Sequence, residues 1–418
     1  MKISLIQPSR NNLKYLKWSY DSIRKNQGNH EVEICIADDA SSDGTWAWCV
    51  ETEKLDPHFK WVRNQTGKRV GHTILYDRLV NEVATNDMCM IYHADMYLCP
   101  GALDAIEKQM YTVIDVGDNG ERTRNEKTIV SLTRIEPPLH PPGPEKVLRD
   151  FGIEPEEFDE DGLLKVISSR GLHLKNKTNT TEGIFVPWVF WKKDFQEIGG
   201  HDKLFAPQSK EDTDIFNRFH LNGIKFIQTW EGFVYHMTCR GSRFADGAER
   251  NPNGEVFMKN RETDEWLAQN QKSTKEFIRK WGHYCKHDSY MKPIVPPKYD
   301  IGFILKNCNG KLIEVLEPWC STVYMKENED AIRKHYIVKE QPNTSFDLRN
   351  KVLPYDNEKQ NEILVEIDGN TFNQQDFQTL HQLPEILQDS GEAGEFEMGN
   401  LKITIISLTE QQHKLIHL

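Results

Sequence analysis

The feature that most constrains the fold is a regular alternation of short apolar runs and amphipathic segments over residues 1–110. Apolar runs typical of buried strands occupy residues 2–7, 31–37, 59–62 and 87–92. Segments with helical spacing follow them at residues 12–25, 45–54, 71–84 and 100–110. This rhythm predicts an α/β fold in which a mainly parallel sheet carries helices on both faces. Ligands of such sheets bind at the carboxyl ends of the strands, so chemistry is expected directly after each run.

The length of the chain predicts more than one domain, because 418 residues exceed what one hydrophobic core usually holds. We expect an α/β domain over residues 1–245, a helical extension and linker over 246–295, and a smaller C-terminal α+β domain over 296–418. The proline-rich segment 136–145 is predicted to lack regular structure, since proline fixes φ and removes a hydrogen-bond donor.

The acidic composition limits the classes of partner. A formal net charge of -12 and a pI of about 5.7 argue against broad binding of nucleic acid or of anionic membranes. No apolar run is long enough to cross a bilayer, and the first residues lack the apolar core of a signal peptide. A cytoplasmic protein is therefore expected, and its 8 cysteines, without a Cys-x-x-Cys pair, are expected to be reduced.

Two acids, Asp38 and Asp39, end the second apolar run, and a small polar turn then opens the helix predicted from Thr45. A carboxylate at a strand end can accept a hydrogen bond from the N–H of a nucleobase. A structural role is also available, since Asp43 could cap the following helix. Capping explains the pair itself less well, and we expect the pair to bind a ligand.

A histidine and an acid, His93 and Asp95, follow the fourth apolar run. If the strand continues, their side chains point to the same side, because side chains of a strand alternate with a period of two. The carboxylate of Asp95 suits a hard divalent cation. The competing interpretations are a core histidine for His93 and a cap or turn residue for Asp95.

Three acids, Glu211, Asp212 and Asp214, lie at the start of a helix predicted over residues 209–221. Acids in a first turn suit the helix dipole, but three within four positions exceed that need. One of them is a candidate general base.

A basic group follows the strand-like run that ends near His236, which is a candidate metal ligand. Arg240 and Arg243 come next, and their guanidinium groups could bind a diphosphate. An ordinary charged surface loop is the alternative interpretation.

In their order along the chain, these motifs resemble family 2 glycosyltransferases of the GT-A fold over about residues 1–243. The matching segments are QPSRN at 7–11, DDASSDGT at 38–45, RNQTG at 63–67, HAD at 93–95, GGHD at 199–202 and ED at 211–212. Two departures stand out, since His93 replaces the first acid of the family's Asp-x-Asp element and Met96 replaces an acid that often follows it. The region beyond about Trp281 resembles no family.

The resemblance implies transfer of a sugar from a nucleotide-diphosphate sugar, with UDP-sugars favoured, to the hydroxyl of a glycan or another acceptor. It implies a single displacement with inversion, in which Asp212 is the general base and Glu211 the alternative. The residues implied to bind the donor nucleotide are Pro8, Ser9, Asp38, Asp39, Arg63, Arg240 and Arg243. A Mn²⁺ or Mg²⁺ ion would be held by Asp95, His236 and His93. Trp188 and Trp191 would lie near the acceptor, or would simply pack in the core.

Other classes of protein compete with this interpretation. The main one is a catalytically inactive nucleotide- or sugar-binding module, for which the replacement at His93 is the best support. A sugar nucleotidyltransferase or a Rossmann-type redox enzyme would carry a glycine-rich loop after the first strand, where residues 8–12 contain no glycine. A zinc site at residues 283–287 matches no common ligand spacing. The C-terminal region could bind an acceptor, mediate oligomerisation or attach the enzyme to a partner.

Overall fold

The computed structural model describes residues 1–114, 121–169, 179–238, 248–259, 263–355 and 358–418. This part of the chain forms two compact units. The first contains Met1–Trp266 and His287–Pro293, and the second contains Leu267–Lys286 and Ile294–Leu418. Within the described ranges, no helix is long and apolar enough to cross a membrane.

The first unit is built on a mixed sheet. The strands of this unit, not all of which join the mixed sheet, are β1 (Lys2–Ser9), β2 (Glu31–Asp38), β3 (Phe59–Arg63), β4 (Met88–Ile91), β5 (Met96–Leu98), β6 (Tyr111–Ile114), β7 (Glu121–Arg124), β8 (Thr128–Glu136), β9 (Lys146–Leu148), β10 (Thr180–Thr181), β11 (Trp188–Trp191), β12 (Lys225–His236), β13 (Ala248–Arg250) and β14 (Val256–Met258). Its helices are α1 (Leu13–Asn26), α2 (Thr45–Leu55), α3 (His72–Arg78), α4 (Ala102–Met110), α5 (Glu160–Ser168), α6 (Lys192–Glu197) and α7 (Glu211–Leu221). A π-helical turn, Leu79–Val83, continues α3.

The strands at the centre of this sheet place several strand ends at one edge. β1 lies parallel to both β2 and β4, and β2 lies parallel to β3. β11 then runs antiparallel between β4 and β8, and β12 runs parallel to β8. Every residue of β2 after its first is buried, as expected for a strand covered on both faces. The carboxyl ends of β1, β2, β4, β8 and β12 therefore lie at the same edge of the sheet.

The local pattern of the sequence predicts much of this unit. The four apolar runs form β1 to β4 and the four amphipathic segments form α1 to α4. β8 continues through Glu136, the first residue of the segment predicted to be irregular, whereas residues 137–145 contain no strand or helix. The short strand β5 and its antiparallel pairing with the end of β12 have no counterpart in the sequence pattern.

The second unit has its own sheet and core. Its strands are β15 (Ile301–Lys306), β16 (Thr322–Met325), β17 (Val352–Pro354), β18 (Ile363–Asp368), β19 (Gly394–Met398) and β20 (Leu401–Ile405). Its helices are α8 (Asp264–Trp281, from Leu267 onwards), α9 (Gly310–Leu316), α10 (Asp330–Glu340), α11 (Leu348–Lys351) and α12 (Gln374–Ser390). The sheet order is β17-β16-β15-β18-β20-β19, with the first four strands parallel. The predicted fold class is confirmed: an α/β unit comes first and a smaller unit with a sheet of its own follows.

A buried ion cluster lies within the second unit. The guanidinium group of Arg279 contacts Glu276, Glu317 and Glu340 at 2.6, 2.7 and 2.8 Å. Burial lowers the pKa of Arg279, but the hydrogen bonds and charges of its partners outweigh burial and raise that pKa above its ordinary range. These contacts explain how several ionised groups can be buried together.

Candidate functional site

Three candidate metal ligands converge at the carboxyl edge of the first sheet. β4 ends at Ile91, and the chain turns through His93 and Asp95 before β5 begins. Met96 is paired with His236 at the end of β12, and this register brings Asp95 beside His236. The Asp95 Oδ1 atom lies 3.4 Å from His236 Nε2, and the ring centres of His93 and His236 are 5.5 Å apart. One ligand atom from each of the three residues lies within 4.8 Å of the others, which fits a single metal ion.

The electrostatics of these three residues suit a cation. Burial and the adjacent His236 lower the pKa of His93 to about 3, so its imidazole is neutral and offers a lone pair. Burial also lowers the pKa of His236, but the carboxylates of Asp95 and Glu136 outweigh burial and raise that pKa above its ordinary value. Two imidazoles and one carboxylate are a donor set that can bind a divalent metal ion.

Asp39, the second acid after β2, holds the loop that follows β3. Its carboxylate accepts hydrogen bonds from Asn64 Nδ2 at 2.7 Å and from the backbone N–H groups of Val70 and Gly71 at 3.0 Å. A Cβ atom at Gly71 would lie 2.1 Å from the carbonyl oxygen of Pro207, so the close approach of these two segments requires glycine. Asp39 therefore shapes the edge of the site with both of its oxygens.

Asp38, the first acid of the pair, is fully buried. Its Oδ1 atom accepts a hydrogen bond from the backbone N–H of Ser41, whereas its Oδ2 atom has no hydrogen-bond partner in the described part of the chain. The Nε atom of Arg63 lies 3.3 Å from that Oδ2 atom. Ser9 is paired with Asp38 across β1 and β2, and its hydroxyl likewise lacks a partner among the described residues. Donors and acceptors thus gather at the ends of three neighbouring strands.

The first two acids of α7, Glu211 and Asp212, lie in different electrostatic environments. Glu211 is buried and hydrogen-bonds through Oε1 to Nε2 of His72. Burial raises the pKa of Glu211, but the charge and hydrogen bond of His72 outweigh burial and lower it. Burial and the negative charge of Glu211 raise the pKa of Asp212 to about 6. Asp212 is therefore poised to take up a proton near neutral pH, as a general base must.

The phenol of Tyr76 is influenced by charges from this acid pair and from the metal-ligand candidate Asp95. Tyr76 is buried, and its burial raises the pKa of the phenol. The negative charges of Asp212, Glu211 and Asp95 raise that pKa further. Charges from the acid pair and from the metal-ligand candidate Asp95 therefore act on the same buried phenol.

The two tryptophans predicted near the acceptor are both buried. Trp188 packs edge-on against Phe216 of α7, with ring centres 5.6 Å apart. Trp191 is paired with Met88 at the start of β4, the opposite end of that strand from His93. The packing of both indoles is explained by the core around them.

The remaining predicted residues are placed as follows. Pro8 precedes Ser9 in β1, beside the donor and acceptor groups at the strand ends. Asp214 forms a buried ion pair with Arg218, at 2.9 Å, one turn along α7. Arg240 and Arg243 lie outside the described residues.

Two residues of the site, Glu136 and His72, carry no motif that identifies them. The Oε2 atom of Glu136 lies 3.3 Å from His236 Nδ1. All nine residues of β8 are buried through Glu136, and the strand-like pattern could have been followed to that point, but Pro137 and Pro138 indicate an earlier end. His72 opens α3 directly after Gly71, and only its position next to a predicted helix start could have pointed to it.

One known protein family matches part of the chain. The model of the family described as Glycosyl transferase family 2 matches residues 4–151, a region that contains β1 to β4 together with His93 and Asp95. No curated protein matches the chain.

The chain is similar to several solved structures at low identity. One is the mannosyltransferase PcManGT from Pyrobaculum calidifontis in complex with GDP-Man and Mn²⁺, at 14% identity over 70% of this chain and 67% of that chain, with a TM-score of 0.41. GalNAc-T7 with UDP, GalNAc and Mn²⁺ is similar at 12% identity over 68% of this chain, with a TM-score of 0.42, and the match spans 51% of that chain. Residues 1-349 of S. aureus TarS are similar at 13% identity over 66% of each chain, with a TM-score of 0.36. The family match over residues 4–151 confirms the predicted resemblance and the predicted enzyme class of a glycosyltransferase.

Proposed function

We propose that this chain transfers a glycosyl group from a nucleotide-diphosphate sugar to an acceptor hydroxyl, with Mn²⁺ as cofactor and a UDP-sugar as the favoured donor. The observation that carries the proposal is the convergence of His93, Asp95 and His236 at the carboxyl edge of the sheet, together with the raised pKa of Asp212. Metal ligands and a proton acceptor within one site are what the transfer of a sugar from a diphosphate requires.

The donor nucleotide would bind along the ends of β1, β2 and β3. The buried Oδ2 atom of Asp38 can accept a hydrogen bond from a base N–H, and the hydroxyl of Ser9 lies on the adjacent strand. The guanidinium of Arg63 lies over the ring of Trp46, 5.2 Å from the ring centre, and would face the bound nucleotide. Pro8 would line the pocket, and Asp39 would keep the following loop in place.

The reaction would use the other half of the site. A bound Mn²⁺, held by Asp95, His236 and His93, would neutralise charge on the leaving diphosphate. Asp212 would accept the proton of the acceptor hydroxyl as that oxygen attacks the anomeric carbon. One displacement with one base inverts the configuration of the sugar. Glu211, hydrogen-bonded to His72, would remain ionised and keep the proton affinity of Asp212 high.

The remaining assignments follow from the same proposal. Arg240 and Arg243 would bind the diphosphate. Residues 1–245 would carry out the transfer, and residues 246–295 would be a linker between two domains. Residues 296–418 would form an accessory domain, with acceptor binding and oligomerisation as its candidate roles. Neither tryptophan is assigned to the acceptor, since both are buried in the core.

A turnover screen tests the proposal. The full chain is incubated with UDP-, GDP-, CDP- and TDP-sugars, Mn²⁺ and a panel of sugar acceptors, and the released nucleoside diphosphate is measured. We expect release from one nucleotide class, loss of release with EDTA and loss in Asp212→Asn. If the chain binds a nucleotide tightly but releases no nucleoside diphosphate from any donor with any sugar acceptor, the proposal is contradicted. That result would favour an inactive binding module.

A further inference from the structure

The imidazole of His236 is held between two carboxylates. Its Nε2 atom lies 3.4 Å from Asp95 Oδ1, on the side of His93 and the candidate cation site. Its Nδ1 atom lies 3.3 Å from Glu136 Oε2 on the other side. Only one ring nitrogen can face the cation, and Glu136 occupies the other.

The position of Glu136 is fixed by the regular pairing of two strands. β8 and β12 run parallel, with Arg134 opposite Val234 and Ile135 opposite Tyr235. Glu136 and His236 are the next residues on their strands and the last residues of both. The contact between their side chains is therefore set by the sheet and not by a loop, which favours a rigid orientation of the imidazole ring.

The charge of Glu136 is balanced inside the protein. Its Oε1 atom lies 2.7 Å from the Nζ atom of Lys146, and its Oε2 atom lies 3.6 Å from Arg134. Glu145 completes the group through a contact of 2.9 Å with Arg134. Two cations and two carboxylates give a neutral cluster, and the side chains of all four are almost completely buried. Such a cluster can keep Glu136 ionised without solvent.

We propose that Glu136 is a positioning residue for the cation site: it accepts a hydrogen bond from Nδ1–H of His236 and thereby directs the Nε2 lone pair at the cation. This proposal rests on the proposed function, which assigns His236 as a metal ligand. A carboxylate behind a metal-bound histidine fixes the tautomer and orientation of the ring and makes it a better ligand. Glu136 itself would not touch the ion or the substrate.

Binding of Mn²⁺ alone to the full chain tests the role directly. Free Mn²⁺ is followed by electron paramagnetic resonance in wild type, Glu136→Gln and the control Glu145→Gln. Both variants remove one carboxylate from the same buried cluster and leave it with the same excess charge, but only the first changes the partner of His236. We expect Glu136→Gln to bind Mn²⁺ about 10-fold more weakly or worse, and Glu145→Gln to stay within about threefold of wild type.

Folding and background binding need separate controls. If the single variants fail to fold, as shown by thermal melting, each is combined with Lys146→Met, which restores a neutral cluster in both. Background is measured in Asp95→Ala, since His30, Asp104 and Glu107 form a second group with ligand atoms within 4.8 Å. The Glu136→Asp variant keeps the charge, so it is expected to bind Mn²⁺ more tightly than Glu136→Gln does. Loss of packing alone would not explain such a recovery.

Two results would overturn the inference. Equal Mn²⁺ affinity of the Glu136→Gln and Glu145→Gln proteins, while His236→Ala binds weakly, would show that His236 is a ligand that needs no positioning by Glu136. Wild-type affinity in His236→Ala would refute the metal site itself and with it the proposed function.

Discussion

The pH dependence of transfer should report the ionisation of Asp212, and Glu211→Gln should shift it. Burial and the charge of Glu211 raise the pKa of Asp212 to about 6 in the wild-type protein. A general base acts only when deprotonated, so the rate should rise with pH through this value and then level off. At pH 5 only about a tenth of such a carboxyl is ionised, so kcat/KM should be about tenfold below its plateau.

Removing the charge of Glu211 leaves burial as the main cause of the raised pKa. The acidic limb of the profile should then move below pH 6, towards the ordinary aspartate value of about 3.9 without reaching it. At pH 5 the Glu211→Gln enzyme should therefore retain a larger fraction of its plateau rate than wild type. Asp212→Asn should lose about 10²- to 10⁴-fold of the plateau rate, because no other group takes the proton.

Initial rates with the donor found by the turnover screen, measured from about pH 5 to pH 8 at saturating Mn²⁺, give both profiles. Mn²⁺ must be saturating at each pH, because protons compete with the cation for His236, whose pKa is also raised. An inactive Glu211→Gln enzyme together with an active Asp212→Asn enzyme would refute the reasoning and make Glu211 the base. An acidic limb that stays in place in Glu211→Gln would show that these two acids are not coupled.

Three further predictions concern stability and are checked by chemical denaturation. Asp39→Ala should lower the free energy of unfolding by about 2–3 kcal/mol, because N–H groups of the loop after β3 lose their acceptor. Asp38→Asn should lower it much less, and equal losses in the two variants would contradict this prediction. Arg279→Met should cost about 3–5 kcal/mol, because it removes the buried cation that Glu276, Glu317 and Glu340 share, whereas the exposed Lys334→Met should cost well under 1 kcal/mol. Trp188→Ala should cost about 3–5 kcal/mol as a core truncation, and a negligible loss would return this indole to the candidate acceptor residues.

The parts of the fold that depend on local pattern are predictable from sequence. The first four strands and helices follow the apolar periodicity, because each element is buried on faces that neighbouring residues define. Asp38 and His93 are likewise placed by the rule that ligands bind after parallel strands. The acids at the start of α7 are visible in the sequence, so Asp212 becomes a candidate base from its position alone.

The parts that depend on distant pairing are not predictable in this way. Asp95 meets His236 because β5 pairs with the end of β12, a register between segments far apart in the chain. Glu136 reaches His236 because β8 continues to a residue that directly precedes two prolines. The aromatic run that includes Trp188 leaves acceptor contact and core packing both open, because residues of the distant helix α7 help to cover it.

The most direct test of the account is a calorimetric titration of the full chain with UDP, in Mn²⁺ and in EDTA, for wild type and Asp95→Ala. GDP, CDP and TDP are titrated in parallel to identify the base. The account predicts that one nucleoside diphosphate binds wild type in Mn²⁺, and that either EDTA or Asp95→Ala weakens its binding at least about 10-fold while the melting temperature of the variant stays close to wild type. Equal affinity in Mn²⁺ and EDTA, or in wild type and Asp95→Ala, would contradict a cation site formed by His93, Asp95 and His236.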